Sequence, residues 1–144
     1  MGSKPIYHPA ASSPLESFGG RKLILNVTDD LSHLYTRYQF FSASGYAVLS
    51  ASDAAQALDL FGSWAPDLVV LNYDLPQVGG EVLADAMKKH TRTTPIVMVL
   101  PDVESVGRCF HLADDFVLVS DTPAKLVRVV RKLLAPALAD QFEP

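Results

Sequence analysis

Cysteine is almost absent from this sequence: Cys109 stands alone among 144 residues. An intramolecular disulfide framework is therefore excluded, and the usage fits a reducing compartment. The lone thiol lies in an amphipathic stretch and reads as a quiet, half-buried side chain, not a reactive one. Long apolar runs are missing too, and none approaches the length that spans a bilayer. The opening MGSKPIYHPA lacks the apolar core of a signal peptide, so export is not expected and a cytoplasmic location is. Positive charge is in short supply. Twelve Lys and Arg against sixteen Asp and Glu give a net charge of -4, which offers nucleic acid no electrostatic support. No glycine-rich phosphate loop of either common type occurs. His8, His33, His90 and His111 lack ligand-like spacing, so no zinc site is expected. No nucleophile–base pair recommends catalysis, and an enzyme is not expected.

What remains suits one globular domain with a proper core: 49% of residues are apolar and 19% charged. Residues 1–20, rich in Pro, Ser and Gly and closing on Gly19-Gly20, read as a flexible arm or linker. Residues 21–136 form the domain, and 137–144 a short tail. No DNA-binding helix pair follows the domain, so direct action on DNA is not expected of this chain.

From Lys22 onward, short apolar runs alternate with helical patterns. Leu23 to Val27 is a first strand. Leu31, Leu34, Tyr35, Tyr38 and Phe41 then recur at helical spacing, and Gly45 can close that helix. Tyr46 to Leu49 make a second strand. Asp53 caps a helix that turns Ala54, Ala57, Leu58 and Phe61 inward, with Gln56 at the capping-box position. Residues 67–72 are the third strand. Gly79-Gly80 open a third helix with Val82, Leu83, Ala86 and Met87 inward. Pro95 to Leu100 form a fourth strand, and a short helix over about Ser105 to Leu112 holds an unhelpful Gly107. Phe116 to Val119 are the fifth strand. Asp121 or Thr122 caps the last helix, with Pro123 in its first turn. Five strands alternating with five helices imply right-handed crossovers and a doubly wound α/β fold, a five-stranded parallel sheet of order 2-1-3-4-5.

In such sheets, ligands and chemistry collect beyond the carboxyl ends of the strands. Here those ends carry Thr28-Asp29-Asp30, Asn72, Leu100-Pro101 and Val119-Ser120. The stretch "DLVVLNYDLP" is the odd one, because its buried apolar run stops at an amide. A carboxylate there could hold a metal or accept a phosphoryl group, whereas Asn72 does neither well.

At this point residues 22 to about 135 resemble the receiver domain of bacterial response regulators. The resemblance rests on element order, the acidic stretch after the first strand, and Asn72-Tyr73-Asp74-Leu75-Pro76 with Gly80 following. "SGYAVLSASDAAQAL" and Ala113-Asp114-Asp115-Phe116 add to it. It implies a flavodoxin-like fold and a part in phosphorelay signal transduction.

The same resemblance places the family's phosphoacceptor aspartate on Asn72 and its paired acids on Thr28 and Asp29. The switch hydroxyl falls on Leu100, the phosphoryl-neutralising lysine on Val119, and the metal-coordinating backbone carbonyl on Asp74. Each departure removes a separate requirement for holding a transferring phosphoryl group. Magnesium, which prefers carboxylate and phosphate oxygens, is left with at most weak binding at Asp29, so no cofactor is expected. Asp29 and Asp30 read more simply as helix caps and Asp74 as a turn former. Asn72 reads as a structural occupant able to hydrogen-bond loop backbone.

The expectation is a pseudo-receiver that works through contact with a protein partner, another signalling protein or a second copy of itself. Neither nucleic acid nor membrane is expected as a partner. Phe116 stands at the family's switch aromatic, with Arg108, Lys125 and Arg128 on the surface that partners would read. The Leu100 to Val119 stretch is about three residues shorter than the family's, roughly one helical turn. Small-molecule sensing in a pocket made apolar by Leu100 and Val119 is the alternative. Phosphorelay through another acid is a weaker one. The basic residues Lys88, Lys89 and Arg92, and those of the last helix, read as solvated faces.

Overall fold

The structure is a computed structural model that describes residues 18–135; the expected tail and all but the last three residues of the expected arm lie outside them. Those three form a turn tied to the domain, in which Phe18 lies 5.6 Å from the Trp64 ring and accepts Arg21 Nε at 2.9 Å. The strands are β1 (Leu23–Val27), β2 (Ala47–Ala51), β3 (Leu68–Asn72), β4 (Ile96–Leu100) and β5 (Asp115–Leu118). All pair in parallel, in the order β2-β1-β3-β4-β5. The helices are α1 (Leu31–Ala43), α2 (Ala54–Trp64), α3 (Gly80–His90), α4 (Val106–Cys109, after a 3₁₀ turn at Val103–Ser105) and α5 (Pro123–Leu134).

Every residue of β1, β3 and β4 is buried, as central strands covered on both faces require. Alternate side chains enter opposite layers. Leu25, Val27, Leu71, Met98 and Leu100 pack with Phe61 of α2, Leu83 and Met87 of α3 and Cys109 of α4. On the other face, Ile24, Val70, Val97, Val99 and Val117 pack with Phe41 of α1 and Leu126 and Val130 of α5. β1 has β2 on one side and β3 on the other, so the winding reverses between β1 and β3 and opens a crevice at their carboxyl ends.

The local signals act as their chemistry dictates. Asp53 accepts Gln56 N at 2.8 Å, and Gln56 Oε1 reaches back to Ser52 N at 2.9 Å. Thr122 caps α5 at Lys125 N, while Asp121 instead accepts Leu118 N at 2.8 Å and closes the turn after β5. Gly45 carries a φ of 97° where α1 ends.

Several expectations are corrected. In α1, Leu31 and Tyr35 are exposed and the sheet-facing residues are Arg37 and Phe41. The cause lies on β1: buried Asn26 donates to Leu34 O at 3.2 Å and accepts Arg37 Nη1 at 3.5 Å, so the strand offers this helix a polar seat. Leu58 of α2 and Val82 of α3 are exposed, and Ala84 takes the inward place beside Leu83. α4 is a single turn, because Gly107 and a short connection leave little room for more. β5 ends one residue early, which puts Val119 beyond the sheet.

The amino-terminal edge is closed by two carboxylates. Asp67 accepts Leu23 N at 2.7 Å and Asp114 accepts Ile96 N at 2.8 Å, each satisfying the first N–H of a buried strand. Asp114 also holds Lys88 Nζ at 2.8 Å, and that ammonium donates to Thr94 O at 2.9 Å as well. Lys88 is therefore a structural bridge and not part of a solvated helix end.

Candidate functional site

Register brings the expected positions to one edge. Val27 pairs with Leu71, which sets Thr28 beside Asn72. Asn72 pairs with Val99, so Leu100 is the next residue on the neighbouring strand. Leu100 pairs with Leu118, and Val119 N then donates to Leu100 O at 2.8 Å. Thr28, Asn72, Leu100 and Val119 thus line the carboxyl ends of β1, β3, β4 and β5.

Their environments differ. Thr28 is fully buried, and its Oγ1 accepts Asp30 N at 3.2 Å. Asp29 is exposed. Asp30 caps α1: its Oδ1 accepts Ser32 N at 3.0 Å, Ser32 Oγ at 2.8 Å and His33 N at 3.1 Å. Hydrogen bonds from the His33 backbone and the Ser32 hydroxyl hold that carboxyl below its ordinary range. Of the two expected caps, one therefore serves. Asn72 is 7% exposed, and its Oδ1 is buried without a hydrogen-bond partner. Among the described residues, the loop backbone that Asn72 was able to reach makes no bond to this oxygen.

The loop after β3 is anchored through backbone. Tyr73 N donates to Val99 O and Gly80 N to Tyr73 O, each at 2.8 Å. Leu75 tucks into the core while Asp74 points to solvent, as a turn former does. Tyr73 carries a contact that sequence reading missed: its hydroxyl lies 3.4 Å from Glu81 Oε1 and accepts Arg108 Nη1 at 3.4 Å. The phenol oxygen, with Glu81 and Asp102 nearby, raises the Arg108 pKa. This links the turn after β3 to α3 and α4 over 35 residues of chain, a separation no local pattern reports.

Leu100 and Val119 do not share a pocket. Leu100 is fully buried in the layer of α2, α3 and α4, whereas Val119 is 41% exposed. Phe116 is half-buried and packs on the cluster that contains Met98 and Leu100. Lys125 pairs with Asp121 at 3.2 Å, and Arg128 is exposed on the same helix. Among the described residues, no three His, Cys, Asp or Glu side chains cluster as a metal would need. No described helix is long and apolar enough to cross a membrane.

A parallel sheet of this order, covered on both faces and with its crevice at the carboxyl ends of β1 and β3, is the flavodoxin-like, CheY-like α/β fold. The chain belongs to the response regulator receiver domain family, whose family model matches residues 24–131. It is 32% identical over 117 residues to the "Probable transcriptional regulator ycf27" of Cyanophora paradoxa, covering 79% of this chain and 48% of that protein. The alkaline phosphatase synthesis transcriptional regulatory protein PhoP of Bacillus subtilis is 30% identical over 112 residues, 75% of this chain and 47% of its own. The chain thus spans about half the length of these curated relatives. Among solved structures it resembles the Thermotoga maritima response regulator TrrA in complex with Mg²⁺-BeF, with TM-score 0.74 and 26% identity over 78% of this chain and 99% of that one. A CheY-like receiver domain protein from Methanospirillum hungatei gives TM-score 0.73 and 25% identity over 78% and 94% of the two chains.

Proposed function

We propose that this receiver domain passes its signal through protein contact without accepting a phosphoryl group. The observation that carries the reading is Asn72, buried at the carboxyl end of β3 with Thr28 and Leu100 at the neighbouring strand ends, where phosphoryl chemistry would need a carboxylate nucleophile and a hydroxyl. An amide oxygen is a poor nucleophile, and a leucine side chain donates nothing to a phosphoryl oxygen.

The residues present fit a divalent cation poorly. Magnesium takes oxygen ligands in near-octahedral array and favours carboxylates. Asp30 is committed to capping α1, Asp74 faces solvent, and Asp29 alone remains at the edge. The partner surface in this reading runs from Arg108 past Phe116 to Lys125 and Arg128. Phe116, packed on the apolar cluster that contains Met98 and Leu100, where the resemblance would put a hydroxyl, holds one state of that surface. The partner is another signalling protein or a second copy of the domain. The relatives named as transcriptional regulators carry further chain outside the matched half, so an effector supplied elsewhere fits this role.

NMR titration tests the reading. Magnesium followed by beryllofluoride, the phosphoryl mimic bound in the Thermotoga structure, is expected to leave the amides of Thr28, Asp29 and Asn72 unmoved. Saturable shifts at all three would overturn it.

A further inference from the structure

α1 and α5 do not close completely over the sheet. Between them lies a cavity of about 60 Å³, lined by His33, Thr36 and Arg37 of α1, Val99 and Val117 of the sheet and Leu126 of α5. Arg37 is 7% exposed, and among the described residues its guanidinium makes one hydrogen bond, the 3.5 Å contact to Asn26. No carboxylate lies within ion-pair distance of it among the described residues. A guanidinium carries five donors, and this largely buried one has no acid beside it, only the more distant charge of Asp30. Loss of water pulls its pKa down to about 10, still far above neutrality, so the group is a cation in the fold. A second polar atom at the cavity is also left over: His33 Nδ1 is buried and unbonded, 3.7 Å from Asp30 Oδ2. The acids at the rim are engaged elsewhere, Asp30 as the α1 cap and Asp121 with Leu118 N and Lys125.

We infer that this cavity is a binding site for a small carboxylate, held by Arg37 with His33 beside it. The guanidinium fork matches a carboxylate in two parallel bonds. Val99, Val117 and Leu126 offer an apolar wall to a short alkyl group. A cavity of this size has room for a carboxylate head with one or two carbons. A multiply charged oxyanion suits it less, since three walls are apolar and both rim acids would repel it.

The test is an NMR titration of the full chain at pH 7 and constant ionic strength with acetate, propionate, inorganic phosphate and chloride. The expected result is saturable shifts for acetate or propionate, confined to α1 and the β5–α5 turn, with phosphate and chloride weaker. Arg37→Met is expected to weaken binding by about tenfold or more, the loss of a charge-assisted bond. His33→Phe gives a second, smaller loss if the first variant fails to fold. Non-saturating shifts in the wild type, equal binding by folded Arg37→Met, or a preference for phosphate would each overturn the assignment.

Discussion

Gly80 lies so close to Asn72 that a Cβ on the glycine would run into the Asn72 carbonyl oxygen and sit 2.8 Å from Tyr73 Cα. The first turn of α3 thus rests directly on the end of β3, and the Gly80 N to Tyr73 O bond of 2.8 Å depends on that approach. Gly80→Ala must push helix from strand. A loss of about 1–3 kcal/mol is expected from such overpacking, read as a lower midpoint in urea. An unchanged midpoint would mean that α3 is free to shift.

The Asn72 Oδ1 atom is buried and unpartnered. Asn72→Asp would place a charge in that spot, and its carboxyl pKa should rise to avoid ionising there. A raised pKa gives stability present at low pH and lost as the pH climbs through it. The variant is therefore expected to fall about 1–3 kcal/mol below the wild type at pH 7 and to recover in acid. Thermal melts at several pH values measure this, and a more stable variant at pH 7 would contradict it.

Asp30 and Asp121 behave in the opposite sense. Both carboxyls are held below their ordinary value of 3.8, Asp30 first by His33 N–H and Asp121 first by Leu118 N–H. A lowered folded pKa gives stability present at neutral pH and lost as pH falls through that range. Asp30→Asn and Asp121→Asn are each expected to flatten the decline of the melting temperature between about pH 5 and 2. Variants that decline as steeply as the wild type would show these two carboxylates to be idle.

Asp114 serves Ile96 N and Lys88 Nζ at once. Asp114→Ala strands the first amide of a fully buried strand, and about 1–3 kcal/mol of destabilisation is expected. Lys88→Met should cost less, because the ammonium keeps some solvent and its carbonyl partners can be rehydrated. Equal losses from the two variants in denaturant melts would place the weight on the ion pair.

The sheet was legible because β3 and β4 hold unbroken apolar runs, Leu68 to Leu71 and Ile96 to Leu100, and β1 is interrupted only by Asn26. Caps were legible for the same local reason: Asp53, Gln56 and Thr122 act within three or four residues of themselves. The inner face of α1 was not. Its apolar residues lie nearly all round the helix, and the face that meets the sheet is chosen by Asn26, on a different element. The Tyr73 link to Arg108 joins distant segments and leaves no periodic trace. At the candidate site the residue types could be read by resemblance, but the bare Asn72 oxygen and the separation of Leu100 from Val119 into different environments needed coordinates.

The proposed function stands or falls with Asn72 accepting no phosphoryl group. Intact-mass measurement after incubation with acetyl phosphate and magnesium, wild type beside Asn72→Asp, tests it most directly. The account predicts no phosphoryl adduct on the wild type and no robust one on the variant, because Thr28, Leu100 and Val119 still withhold the rest of the site. A stable adduct on the wild type would contradict it, and would mean that another acid at this edge carries the chemistry.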